Sequence, residues 1–311
     1  MKDNQLLDAI IVGAGPAGLS AALILGRCRR NVMVFDTGVH RNACSHAMHG
    51  YLSRDGIAPL ELLEIAREQM QPYDTVRFEK MEVVDARAIP RGFELTLQDG
   101  RTLACRKLLL ATGVKDNLPP IKNVTEFYGR SVFHCPYCDG WEFRDQPLAI
   151  YGQGEHGAGL ALELTAWSRD LVLCTDGPGS LSEKELSRLQ KHSIAVRQQK
   201  IAGLEGENGQ LRRIHFADGS GVARFGMFFS TGEKQHSDLA HRLGCVFCDK
   251  GTVETGEHQA TNVPNLFVAG DACKAVQLVI IAASEGAQAG FAINTCLLQE
   301  DLAAAEAKPS S

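Results

Sequence analysis

Long hydrophobic runs are missing from this chain: no apolar stretch approaches the roughly 18 to 20 residues needed to cross a bilayer. A membrane-spanning protein of the helical kind is therefore not expected. The beginning, MKDNQLLDAIIVGAG, has no extended apolar signal region and no cleavage site, because its hydrophobic residues are used at once by a short strand. A cytoplasmic location is the expectation. Charge of one sign is also lacking, since 37 acidic residues oppose 32 basic ones without a basic stripe or a long like-charge block. Nucleic acid is not an expected partner. The ten cysteines lie scattered through apparent strands and helices, unlike the framework of a small disulfide-stapled domain. Most of them are expected to be reduced and structural.

What the chain does have is length and repetition. Its 311 residues suffice for two compact domains, each with its own core. Asp8 to Val12, a helix-period run from Pro16 to about Arg27, and Val32 to Phe35 make a βαβ unit. Pro59 opens a helix through Met70, and Phe93 to Leu97 with Leu103 to Leu110 read as strands of an antiparallel excursion. Asp116 to Pro120 reads as a linker. A second βαβ unit comes next, from Leu148 to Tyr151 through a helix at about Gly157 to Ser168, returning as Leu171 to Cys174. Gln210 to Phe216 and Val222 to Phe229 flank Asp218-Gly219-Ser220-Gly221, a hairpin signal. The remainder, with a strand at Leu266 to Val268 and an apolar helix from Gln277 to Leu298, is too short to fold alone and is expected to rejoin the first domain. The expected fold is α/β: two Rossmann-like three-layer domains, the second (118–245) inserted into the first (1–117 and 246–311).

Each βαβ unit carries GxGxxG. In Gly13-Ala14-Gly15-Pro16-Ala17-Gly18 the first glycine permits the tight turn, the second lets backbone approach a pyrophosphate, and the third allows close helix packing. Asp36 comes after the second strand, where a carboxylate accepts hydrogen bonds from ribose hydroxyls. The second cradle is Gly152, Gly154 and Gly157. A dozen residues before it stands His134-Cys135-Pro136-Tyr137-Cys138-Asp139-Gly140. A Cys-x-x-Cys pair at the start of a helical turn has one thiol made acidic by local N–H groups, so it can attack a disulfide as thiolate. Exchange also needs a proton for the leaving sulfur, which a carboxyl next door can handle. The competing reading is a structural zinc half-site completed by Cys245 and Cys248, but that spacing is far from a zinc ribbon's, and those two read better as ordinary buried thiols. No metal site is expected.

GAGPAG at 13–18, ATG at 111–113, CPYCDG at 135–140, GQGEHG at 152–157 and FVAGD at 267–271, in that order, resemble the flavin-dependent pyridine nucleotide-disulfide oxidoreductases. Within them the chain is similar to the low-molecular-weight thioredoxin reductases, in which the redox cysteines precede the second cradle. The resemblance covers nearly the whole chain. It implies a homodimeric enzyme with FAD along Gly13 to Gly18, Asp36 at its ribose, Ala111, Thr112 and Gly113 beside it, Gly270 and Asp271 at the ribityl chain, and Gln277 at the isoalloxazine. It also places the loop with Arg41, Asn42 and His49 around the flavin, although Asn42 and His49 are equally explained as turn caps. By the same resemblance Cys138 faces the flavin, Cys135 meets the substrate sulfur, and Asp139 manages the proton.

The second cradle departs from the pattern. NADPH-using members place arginines after the second strand, where they pair with the 2′-phosphate. Here those positions hold Thr175, Asp176, Gly177 and Leu181. A phosphate about 5 Å from Asp176 would be repelled by roughly 3 kcal/mol per charge pair at an effective dielectric near 20. Glu155 also sits in the cradle, though at a helix start it suits the helix dipole equally well. NADPH is therefore not the expected nucleotide, whereas NADH or a second FAD remains open. Three electron routes are left: oxidation of a small dithiol with oxygen as acceptor, reduction by ferredoxin or a second flavin, and NADH-dependent reduction of a thioredoxin-like protein. A non-enzymatic flavin redox sensor is the alternative of another class.

Overall fold

The computed structural model describes residues 6–178, 181–274 and 276–307. Its first unit is β1 (Leu7–Val12), α1 (Pro16–Arg27) and β2 (Val32–Asp36). Proline at the first turn of α1 loses no helical hydrogen bond, because the N–H it lacks would be unpaired there anyway. Then come α2 (Pro59–Glu68) and β3 (Val76–Lys80), and after them the excursion β4 (Val83–Ile89), β5 (Gly92–Leu97) and β6 (Thr102–Leu110). β6 pairs antiparallel with β5 along its first half and parallel with β1 farther on, giving the order β3-β2-β1-β6-β5-β4.

The chain leaves this sheet through β7 (Val114–Asp116), α3 (Val124–Phe127), β8 (Val132–Phe133) and the single turn α4 (Pro136–Asp139). The second unit is β9 (Leu148–Tyr151), α5 (Gly154–Glu163), β10 (Leu171–Cys174), α6 (Glu183–Lys191) and β11 (Ala195–Arg197). β12 (Ile201–Glu207), β13 (Gln210–Phe216) and β14 (Gly221–Ala223) form a three-stranded antiparallel sheet, so the expected hairpin is there but its second arm breaks before β15 (Gly226–Phe229). β15 joins a parallel sheet of order β11-β10-β9-β15-β8. The return runs through β16 (Glu233–Gln235), α7 (Leu239–Arg242), β17 (Leu266–Val268) and α8 (Val279–Glu306). β17 pairs with β6, which puts the last part of the chain back on the first sheet.

The expected linker at Asp116–Pro120 is only partly a linker. β7 on the way out and β16 on the way back pair antiparallel, with Asp116 opposite Glu233. Two crossing segments that satisfy each other's backbone groups need no other sheet. The consequence is that Asp116 sits between the two sheets at a fixed place.

Successive strand residues face opposite sides, so Ile10 and Leu108 enter one core layer while Ile11 and Leu109 enter the other. α8 covers the second layer and lies so close to α1 that a Cβ on Gly286 would come within 1.9 Å of the Ala17 carbonyl oxygen. In the second unit Leu148, Ile150 and Leu173 pack under α5, whereas Ala149, Tyr151 and Phe229 face the three-stranded sheet. That makes three layers. Among the described residues no helix is long and apolar enough to cross a membrane.

Candidate active site

The three glycines of the first cradle do three different things. Gly13 has φ +104°, and a Cβ there would lie 2.3 Å from the Ala111 carbonyl oxygen. A Cβ on Gly18 would come 1.9 Å from the Gly13 carbonyl oxygen, so this glycine sets the contact of α1 with β1. Gly15 has no atom within 4 Å of that position, leaving room for a ligand to approach the backbone. No side chain caps the start of α1, so its first N–H groups and the positive end of its dipole are available to a phosphate. Asp36 Oδ1 accepts from the Ala14 N–H (3.1 Å), and its Oδ2 accepts from the Gly38 N–H (3.2 Å) and Arg67 (2.9 Å).

A cavity of about 570 Å³ opens from this cradle. All the residues expected to touch FAD line it except Ala14 and Gly18, and the same cavity reaches His134, Cys138 and Asp139. An anion-ready helix start, an open Gly15 and a polar wall at Asp271 and Gln277 suit a dinucleotide with an apolar ring system. FAD fits the residues present.

Cys135 is the N-cap of α4, and its Sγ accepts a hydrogen bond from the Cys138 N–H at 3.2 Å. The two sulfurs are joined as a disulfide, with Cα atoms 5.3 Å apart. Cys138 lines the cavity; Cys135 does not, so the two thiols face different surroundings. Burial pushes the Asp139 carboxyl up to about 7, helped by the negative charge of Glu142 and opposed by His49. His49 lies between Glu142 (3.5 Å) and Asp55 (3.6 Å), which ties the expected flavin loop to the segment after the dithiol. A carboxyl that titrates near neutrality can both give and take a proton at working pH.

The expected flavin residues Arg41, Asp271 and Gln277 meet on this wall, joined by Asp116, Tyr128, Glu233 and Glu285, which the sequence did not single out for the site. Arg41 forks onto Asp116 with Nε (3.0 Å) and Nη2, while its Nη1 donates to Asp271 (2.9 Å) and to Gln277 Oε1 (2.6 Å). Gln277 Nε2 in turn donates to Glu233 at 3.0 Å. Asp116 also accepts from the Tyr128 hydroxyl at 2.7 Å. Burial pushes the Asp116 carboxyl up, but the Arg41 fork, the nearby imidazole of His134 and Tyr128 outweigh it and hold it below its usual value. Burial lowers His134 to about 4 against the pull of Asp116, so its ring is neutral. Glu285 on α8, almost fully buried, accepts from the Gly270 N–H at 2.9 Å and so holds the turn that carries Asp271. No local spacing announces these partners, because they meet across 75 residues (Arg41 and Asp116) or 230 (Arg41 and Asp271).

In the second cradle Gly152 and Gly157 touch, since a Cβ on Gly157 would lie 2.5 Å from the Gly152 carbonyl carbon. Gly154 opens α5 with φ +53°, and Glu155 stands in its first turn. Asp176, with φ +54°, accepts from the Ile201 N–H (2.7 Å) and from the Tyr151 hydroxyl (3.3 Å). Thr175 donates its hydroxyl proton to the Gly177 carbonyl at 2.7 Å, and Leu181 packs against the core under α5.

Residues 7–286 match the family model of the pyridine nucleotide-disulphide oxidoreductases. The thioredoxin reductase tcpT of Claviceps purpurea is 34% identical over 315 residues, covering 96% of this chain and 97% of that one. Among solved structures, HlmI superposes with a TM-score of 0.91 at 37% identity, covering 96% of this chain and 95% of the other. The structure assigned to thioredoxin reductase TrxB of Bacillus anthracis gives a TM-score of 0.90 at 36% identity, over 95% and 99% of the two chains. With its cradle, its cavity and these likenesses taken together, the chain belongs to the pyridine nucleotide-disulphide oxidoreductase family and is a thioredoxin reductase-like flavoprotein oxidoreductase.

Proposed function

We propose that this enzyme interconverts a dithiol and a disulfide through Cys135 and Cys138, with FAD in the large cavity and an electron partner other than NADPH. The observation that carries the first half is the asymmetry of the pair: Cys138 lines the cavity that suits FAD, and Cys135 lies outside it. In the reducing direction the Cys135 thiolate attacks the substrate S–S bond, one substrate sulfur leaves with a proton from Asp139, and a mixed disulfide remains. Cys138 then attacks the Cys135 sulfur, releasing the second substrate thiol and closing the Cys135–Cys138 bond. The oxidising direction is the reverse. FAD bound in the cavity would supply the reservoir for the two electrons that the sulfur pair gains or loses. Arg41, Asp271 and Gln277 would hold it, with Glu285 steadying the turn beneath Asp271.

The second half is supported by the loop after β10. No arginine stands at Thr175, Asp176, Gly177 or Leu181, and the Asp176 carboxyl lies in that loop, tied to the Ile201 N–H and the Tyr151 hydroxyl. A 2′-phosphate entering there meets a carboxylate and finds no arginine at those four positions to pair with. NADH, a second FAD or reduced ferredoxin would avoid that cost, as would a small dithiol delivering electrons for transfer to oxygen. Four anaerobic titrations of the purified protein decide among them: NADPH, NADH, reduced ferredoxin and dithiothreitol, with the flavin absorbance as readout and the flavins counted per chain. Dithiothreitol is expected to bleach the flavin and micromolar NADPH is not. Rapid bleaching by NADPH overturns the assignment of the partner, and two flavins per chain favour the second-FAD route.

A further inference from the structure

The turn that carries the dithiol presents two large aromatic side chains to solvent. Tyr137, between the two cysteines, is 69% exposed, and Trp141, just past the end of α4, is 64% exposed. Gly140 keeps helical backbone angles and its N–H donates to the Pro136 carbonyl at 2.7 Å, so positions 137 and 141 are i and i+4 on one face of the turn. Cys138 and Asp139 line the large cavity, whereas Cys135, Tyr137 and Trp141 do not. Tyr137 follows Cys135 by two residues, which puts its Cα within about 7 Å of that of the outer cysteine. The cores do not use these two rings: Phe143 and Trp167 pack against the core under α5, and Tyr137 and Trp141 join no core cluster among the described residues. They are nevertheless held in place. Tyr137 stands edge to face with Trp167 (centroids 5.5 Å apart), and the Arg144 guanidinium lies 4.2 Å from the centre of the Trp141 ring. Trp167 in turn presses on the dithiol turn, since a Cβ on Gly140 would come within 2.9 Å of its ring. Both tryptophans of the chain are therefore placed at this one turn.

We infer that Tyr137 and Trp141 form a platform that selects small disulfides and dithiols bearing a flat aromatic group beside the sulfur. The group stacks on the exposed rings while Cys135 meets the sulfur. Rings that are exposed yet already ordered bind with little further loss of freedom. Size decides for a small molecule: two such side chains offer on the order of 300–500 Å² between them, whereas a stable protein partner buries about 800 Å² on each side. The apolar surface does not continue along the chain, because Glu142, Arg144, Asp145 and Gln146 are exposed and charged or polar. The exchange itself balances without a further reagent. The Cys135 thiolate bonds to one substrate sulfur, the substrate S–S bond breaks, and the aryl thiolate that leaves takes up a proton. The inference rests on the assignment of Cys135 as the substrate-side sulfur and names the substrate class of that site.

The test uses the full-length Cys138→Ser protein, in which Cys135 remains a free thiol, alone and combined with Tyr137→Leu, Trp141→Leu or Trp141→Phe. Three reagents are compared at one pH: 4,4′-dithiodipyridine as the aromatic disulfide, bis(2-hydroxyethyl) disulfide as the aliphatic one, and iodoacetamide as a measure of the thiol itself. Modification of the peptide that holds Cys135 is followed by mass spectrometry, which separates it from the other free cysteines. Each leucine variant is expected to slow the aromatic disulfide about three- to tenfold, with the other two reagents within twofold of the parent. Trp141→Phe, which keeps a ring, should restore most of the rate. Aromatic-disulfide rates within twofold of the parent in both leucine variants overturn the inference, and so does an equal fall for all three reagents, which would report a change in the thiol alone. A thioredoxin-type protein disulfide that slows in the leucine variants while dithiodipyridine does not would assign the face to a protein and overturn it as well. A parent Cys135 inert to all three reagents is a different failure: it refutes Cys135 as the substrate-side sulfur, and the platform falls with it.

Discussion

Asp139→Asn separates what the site gains from what the fold loses. The carboxyl is held at about 7 in the folded chain against 3.8 for a free aspartate, an upward shift of roughly 3 units, or about 4 kcal/mol at 1.36 kcal/mol per unit. The sign comes from burial, which disfavours the charged form. Below about pH 4 the group is neutral in both states and costs nothing; as pH rises the unfolded chain loses its proton first, so the native state is increasingly disfavoured, and the cost levels off above about 7. Asparagine has the same shape and never ionises, so it escapes the cost. Urea unfolding of the oxidised flavin-loaded protein at pH 5 and pH 8 should show the stability advantage of Asp139→Asn growing by about 2–3 kcal/mol between the two. Disulfide turnover should move the opposite way, falling by roughly 10²-fold or more and losing the limb of its pH profile near 7. Parallel stability curves for the two proteins, or an unchanged pH profile, would refute the buried-acid account of Asp139.

Cys138→Ser should keep bound FAD and its yellow colour yet lose multiple turnover with a disulfide or dithiol substrate, because Cys135 alone exchanges once and stops. In Gly18→Ala the new Cβ would lie 1.9 Å from the Gly13 carbonyl oxygen, so α1 must shift off β1; flavin content and melting temperature should both drop, whereas Gly15→Ala, with open space at that position, should melt normally and lose only flavin affinity. Asp116→Asn removes the forked carboxylate from Arg41 and leaves Asp271 as its remaining charged partner, so the urea midpoint should fall, by less than the about 3–5 kcal/mol of a buried charge left wholly unpaired.

Much of the scaffold was legible in the residues because it depends on near neighbours. Glycine at 13, 15 and 18 is required by a turn, a ligand approach and a helix contact that all lie within six residues, and the dithiol and its carboxyl are adjacent in the chain. β3, β4 and β12 were harder to see, being half-exposed strands with few buried positions, and α6 lies in a polar stretch whose Ser182–Glu185 capping box was its one local signal. The break between β14 and β15 arises because Gly226 to Phe229 are all buried in the parallel sheet, a demand of the second core and not of the hairpin.

The amino-acid order by itself determined the two nucleotide cradles, the sulfur pair and the lack of arginine at positions 175–181, since each is written in a few consecutive residues with one physical use. Only the tertiary structure decided which sulfur lines the cavity, that Asp139 titrates near neutrality, and that Arg41, Asp116, Tyr128 and His134 form one wall. Desolvation and charge pairing act through space, between groups brought together from distant parts of the chain, and spacing along the sequence carries no record of them.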